Sequence, residues 1–329
     1  MMKKNVDWSK IILVMLIILM SVIATCVNPR FATMKNLISI AKQISAPGIL
    51  AIGMTFVILT GGIDLSAGYG ITLSAIVMGL TFNATSNPWL SMIGAVVAGV
   101  LLGLFNGVLV SKCHVIPFIS TLATMSISQG VLNVIARGSK FFLKDDVFTT
   151  IAAGGLFGTE FPISVVIFLA FFLIGEIILK RTLLGRYVYA IGSSEKNTKL
   201  AGINTDHYKL MVYVISGLAM GVAAIVMASR ISQVTQESGG NTYLMDCIAA
   251  VIIGGTPIEG GKGDVVGTML GVIFLGVISS LLVFLSIPTI AQQCFKGLVI
   301  IVALVMNHVS KLLKEKEETN QRARVFLQA

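Results

Sequence analysis

Ten apolar runs divide this chain, at roughly 11–27, 44–60, 68–82, 89–110, 116–136, 162–179, 208–229, 244–255, 264–285 and 290–308. Apolar runs of about 18 residues or more can cross the hydrocarbon of a bilayer as helices, because a helix satisfies its own backbone polar groups where no water is present. The third and eighth runs are short for a full crossing. The pattern predicts an all-α polytopic membrane protein with about ten transmembrane helices, and a single transmembrane domain over residues 1–329. Composition agrees, with 55% of the residues hydrophobic and 12% charged. That usage leaves no room for a sizeable soluble domain, so chemistry that needs one has to come from a partner.

Charge supplies the orientation. The net charge of +9 is spread between the apolar runs and forms no single patch with interleaved aromatics, which argues against a nucleic-acid partner and for loops that flank membrane lipid. With the N-terminus inside, both termini are cytoplasmic and residues 180–209 form an inside loop. Of the 24 Lys and Arg, 16 then fall inside, as the positive-inside rule requires. The basic tail over about 310–329 is a mixed-charge cytoplasmic segment. Ile11–Val27, which follows Lys3, Lys4 and Lys10, reads as an uncleaved first span and not as a signal peptide. Cys26, Cys113, Cys247 and Cys294 form no CxxC pair and meet no histidine pattern for zinc, so neither a metal nor another cofactor is expected.

Two glycine elements interrupt the apolar pattern. GGIDLSAGYG at 61–70 and GGTPIEGGKG at 254–263 share glycine at their first, second, eighth and tenth positions. Each joins one membrane segment to the next, which suggests two related halves of the kind found in transporters. The structural set is Gly61, Gly62, Asp64 and Ser66 in the first element and Gly254, Gly255, Gly260 and Gly261 in the second. Asp64 is costly at membrane depth unless it has a role or a shelter. Placed at a helix start it accepts bonds from orphan amides; the alternatives are a ligand for substrate or coupling ion, and a contact with a cytoplasmic partner. Asp246 poses the same choice between cap and ligand. The second element resembles a phosphate loop but has Thr256 and Gly263 where that motif needs glycine and a hydroxyl, so no nucleotide site is expected.

Polar side chains within spans are candidates for a translocation path: Asn106 in the fourth run and Thr121, Thr124, Ser128, Gln129 and Asn133 in the fifth. The competing role for each is glue between helices. Neutral, hydroxyl-rich solutes would suit such groups.

The segments LTGGIDLSAG, VIPFISTLATMSISQG, GRYVYAIGSSEKNTKLAGI, AAVIIGGTPIEGGKGDVVGTMLGVIFLGVI and QQCFKGLVIIVALV occur in order over roughly 31–306. Together they resemble the ribose, xylose and galactose type ABC permeases, a branched-chain-amino-acid-permease-like superfamily. The resemblance implies a multi-pass subunit of the bacterial inner membrane. Its partners would be a second permease subunit in a homodimer or heterodimer, a cytoplasmic ABC ATPase and an extracytoplasmic sugar-binding protein. It also implies that Gly192, Glu195, Leu200, Ala201, Gly202 and Ile203 belong to the ATPase-coupling loop. Lys196-Asn197-Thr198 departs from the usual alanines there, and Gln129 stands where relatives often carry Arg.

The function expected is therefore the permease of an ATP-driven importer for a monosaccharide or similar small polyol-like solute, without catalytic residues of its own. One rival is an ion-coupled secondary transporter, for which Asp64 or Asp246 would bind the ion. A lipid-directed membrane enzyme is a poor fit, since His114, His207 and His308 are isolated and no HExxH or metal-spaced acids occur.

Overall fold

The computed structural model describes residues 8–155, 161–288, 291–298, 301–302 and 305. Among these, eight helices are long and apolar enough to cross a membrane. They are α1 (Trp8–Val27), α2 (Met34–Leu59), α3 (Ala67–Thr85), α4 (Pro88–Ser111), α5 (Pro117–Ala136), α7 (Ile163–Arg181), α10 (Thr205–Ile231) and α12 (Val265–Phe284). Shorter helices are α6 (Asp146–Ala153), α8 (Leu183–Ser193), α9 (Glu195–Leu200) and α11 (Asn241–Ile253). A two-residue strand β1 (Phe141–Phe142) pairs antiparallel with β2 (Gln233–Val234). The eighth apolar run thus becomes α11, whose 13 residues reach only about 20 Å. Residues 291–298 of the tenth run are helical, while part of that run and the tail over 310–329 lie outside the described residues.

Local chemistry sets the boundaries. Asn87 accepts from Trp89 N and Leu90 N at 3.0 and 3.2 Å, and Pro88 follows at the first helical position, so α4 starts sharply. Asp264 caps α12 through Gly267 N at 2.7 Å and also pairs with Lys10 of α1. The most enclosed long helix is α2, buried almost continuously from Ile44 to Leu59 and packed on α7, α10, α11 and α12. In contrast, α1 leans mainly on α12 and exposes Met15, Ile18, Leu19 and Val22, the surface expected toward lipid.

The tightest crossing joins α4 and α10. Ala95, Gly99, Gly103 and Gly107 recur every four residues on α4, and α10 offers Gly217 and Gly221 opposite them. A Cβ on Gly103 would stand 2.8 Å from Gly217 Cα, so the two backbones touch. Without a hydrophobic drive between helices in lipid, such close backbone approach is a main source of association.

Two segments are broken within the bundle. Gly61 (φ +76°) ends α2, with Gly61 N bonded to Ile58 O and Gly62 N to Val57 O. Residues 62–66 then form an irregular link, and α3 begins inside the protein, with Ala67 and Gly68 buried. From the other end, residues 235–240 descend after β2 until Gly240 N donates to Gly68 O at 3.0 Å and to Thr72 Oγ1 at 3.1 Å. There α11 begins. Irregular backbone at membrane depth survives because protein covers it.

The same helix ending recurs after α11, where Gly255 (φ +96°) donates to Ile252 O and Thr256 N to Val251 O. The equivalent glycines are therefore Gly61 and Gly255, one place off the register read from the sequence. Gly68 and Gly70 lie within α3 while Gly261 and Gly263 lie in a loop, so the shared eighth and tenth glycines are not structural equivalents.

Candidate functional site

One end of the bundle is built around α8 and α9. Ser194, with extended backbone, breaks the helix and caps α9 by accepting from Asn197 N at 3.3 Å. Gly202 (φ +80°) ends α9 in a left-handed turn, with Gly202 N bonded to Lys199 O and Ile203 N to Thr198 O. The Glu195 carboxylate pairs with Lys199 at 3.1 Å and Lys209 at 2.5 Å, and Thr205 Oγ1 donates to it at 3.3 Å. Partial burial alone would raise its pKa, but the Lys209 and Lys199 bonds and charges outweigh that and hold the carboxyl below its ordinary range. The helix is thereby fastened to the start of α10. Its tip carries Leu200, 78% exposed, beside exposed Ala201 and Gly202. Lys196 and Asn197 also face out, and Thr198 is buried with Oγ1 donating to Ser194 O.

This end touches the second glycine element, and the end of α2 just ahead of the first, through backbone. Gly261 N donates to Leu59 O at 2.9 Å, and Gly192 of α8 lies directly on Leu59 O and Gly261, where a Cβ would stand 2.9 Å from Gly261 Cα. Gly260 in turn rests against Gly61 N. The Tyr189 hydroxyl donates to Gly263 O at 2.7 Å. Burial, with the charges of Asp264 and Glu176, pushes that phenol up to about 12, so it remains a donor. Gly192 of α8 thus rests backbone to backbone on the end of α2 and on the loop ahead of α12, with no flexible side chain between them. The sequence offered each part and gave no sign of this contact.

Asp64 lies deeper, fully buried. Its Oδ1 accepts from Ser66 N at 3.1 Å and Ser66 Oγ at 2.6 Å, and its Oδ2 accepts from Ser216 Oγ at 2.8 Å. Ser66 Oγ also accepts from Asn106 Nδ2 at 2.8 Å. The expected helix-capping bond is thus replaced by an Asx turn just ahead of α3, since Ser66 occupies the cap position without a side-chain bond. The carboxylate ties the broken segment to α10 and, through Ser66, to α4. Asp246 is no cap either: it sits mid-α11 and pairs with Lys296 at 2.9 and 3.0 Å.

A polar cavity of about 320 Å³ lies beyond the far end of α10 from α8 and α9, between α3, α5 and residues 236–242. Tyr69, Gln129, Asn133, Gln236, Glu237, Asn241 and Thr242 line it, with Gly239, Gly240 and Leu132. Gln129 Nε2 donates to the Tyr69 hydroxyl at 3.1 Å. Its volume falls within the range of small-molecule sites, and its lining offers amide and hydroxyl groups that both donate and accept. Two of the six path candidates, Gln129 and Asn133, open on it. The other four face protein: Asn106 holds Ser66, Thr121 donates to Ile63 O, Thr124 donates to Ser120 O, and Ser128 is buried. The lining residues missed by sequence reading are Tyr69, Leu132 and those in QESGGNTY at 236–243, where another glycine pair beside clustered polar groups was the available signal.

Residues 36–304 match the family described as branched-chain amino acid transport system, permease component. The ribose import permease protein of Haemophilus influenzae is 36% identical over 296 residues, spanning 89% of this chain and 91% of that one. Its counterpart in Escherichia coli K12 is 36% identical over 302 residues, with 90% and 92% covered. The L-arabinose transport system permease protein of the same strain is 29% identical over 286 residues, with 87% and 86% covered. No solved structure matches. A predominantly helical body with eight apolar helices of spanning length among the described residues, together with a match over most of its length, makes one assignment: the chain belongs to the branched-chain amino acid transport system permease family.

Proposed function

We propose that this protein is the membrane permease of an ATP-driven importer that carries a monosaccharide or similar small polyol-like solute across the bacterial inner membrane. The observation that carries the reading is the α8–α9 unit, which exposes Leu200 and Ala201 at its tip and meets the second glycine element and the end of α2 just ahead of the first backbone to backbone. That is the architecture of a mechanical input from a partner at the membrane surface. ATP hydrolysis belongs to that partner, a cytoplasmic ABC ATPase, and solute delivery to an extracytoplasmic binding protein. Gly192, Glu195, Leu200, Ala201, Gly202 and Ile203 form the input. About ten spans, two related halves and cytoplasmic termini complete the topology, with a second permease subunit, identical or related, completing the complex. The matching turns at Gly61 and Gly255 support the duplication.

The polar cavity is the segment of the path in this subunit, and the sugars named for the relatives suit its neutral donors and acceptors. Asp64 and Asp246 are both engaged, one by three donors and the other by Lys296, which favours structural duty over ion coupling. In vesicles carrying the assembled complex, a cysteine at Asn133 should react with thiol reagents. Saturating ribose or arabinose with the binding protein should slow that reaction several-fold. Equal rates with and without sugar would remove the cavity from the path.

Asp64→Asn should retain most uptake, because its amide oxygen can accept from Ser66 and its nitrogen can donate to Ser216. Asp64→Leu strands those groups, at about 1–3 kcal/mol for each buried group left unpaired, and should lower the amount of folded protein in the membrane several-fold. Uptake abolished in the Asn variant at normal membrane level would assign Asp64 to the transport step itself.

A further inference from the structure

We propose that Glu237 gives the cavity a charge filter, so that the path admits neutral polyhydroxylated solutes and rejects their carboxylated or phosphorylated derivatives; this rests on the cavity being the path. Glu237 is the one charged side chain among the described lining residues, and no Lys, Arg or His joins it. The rest of the polar lining is amide and hydroxyl, such as Gln129, Asn133 and Asn241, which can exchange hydrogen bonds with sugar hydroxyls in either direction.

Outside the lining, Lys296 is held by Asp246 at 2.9 Å. An anionic solute in the cavity would therefore meet a like charge with no counter-charge in the lining, and would also lose its own hydration. A neutral sugar meets neither cost. Glu237 follows directly on Gln236 and precedes the Gly239–Gly240 pair, so it is carried by the broken segment that sets the cavity wall. The residue would then act as a specificity determinant downstream of whatever selection the binding protein makes.

The test measures local potential directly, independent of the binding protein's selectivity. In a background with Cys26, Cys113, Cys247 and Cys294 replaced, Asn133→Cys is labelled in the assembled complex with cationic and anionic methanethiosulfonate reagents of similar size. Gln129→Cys serves if the first variant assembles poorly. A unit charge beside a partly wet cleft changes each rate by roughly threefold, so Glu237→Gln should reduce the ratio of cationic to anionic rates by about tenfold, and Glu237→Lys should invert it. An unchanged ratio in both variants, with sugar still protecting the cysteine, overturns the filter while leaving the path reading intact. Loss of sugar protection with the ratio still responding contradicts the path reading instead.

Discussion

Ala201→Trp should insert into the membrane at normal levels and yet neither co-purify with the ATPase nor support sugar uptake above background. Ala201 follows α9 at the exposed tip, next to Leu200, and its side chain has no role inside the protein that a larger residue would disturb. An indole there lengthens the surface that must enter the partner's groove, and overpacking of a fitted contact costs about 1–3 kcal/mol or more. That is enough to lower association by roughly ten- to a hundredfold. Glu195, with Lys199 and Lys209, still fixes the helix, so the fold of the loop is preserved. Wild-type association and uptake in this variant would reduce α8 and α9 to a solvated connector whose charges only set topology.

Gly217→Leu should largely prevent the bundle from forming. A Cβ at this position meets Gly99 O and stands 2.9 Å from Gly103 Cα, so the obstacle is backbone and no rotamer change relieves it. The helices must separate along the whole α4–α10 crossing, which also pulls Asn106 from Ser66 and Ser216 from Asp64. The expected readout is loss of the monodisperse species in detergent and a fall of at least about tenfold in membrane content, since separating packed backbones costs well beyond the usual 1–3 kcal/mol of overpacking. Gly130→Leu is the control. Nothing lies within 4 Å of a Cβ there, so the same change should leave the folded amount unaltered. Equal yields for the two variants would show that the α4–α10 contact does not hold the fold.

Much of this was legible in the sequence because it depends on local periodicity. Eight of the ten runs lie in helices long enough to span, and the Glu195–Lys199 pair and the left-handed Gly202 turn are local features of the same kind, set by four-residue spacing and by glycine's freedom. Relations between distant segments were not. The meeting of Gly192, Leu59 and Gly261 joins three separate parts of the chain, and nothing in any one of them names the others. The glycine register went wrong by one place because a left-handed turn needs a single glycine, and each element offers two side by side. Asp64 was recognised as needing shelter, but its partner Ser216 lies 152 residues away. Four of the six path candidates, Asn106, Thr121, Thr124 and Ser128, are buried away from the cavity, since a small polar group in a span has the same spacing whether it faces a neighbour or a cavity.

The most direct measurement is uptake into vesicles containing the permease, its ATPase and the binding protein. Uptake should require internal ATP and the binding protein, and it should continue after a protonophore has collapsed the proton gradient. Uptake that follows the gradient and proceeds without ATP would contradict the assignment and return Asp64 and Asp246 to consideration as coupling-ion sites.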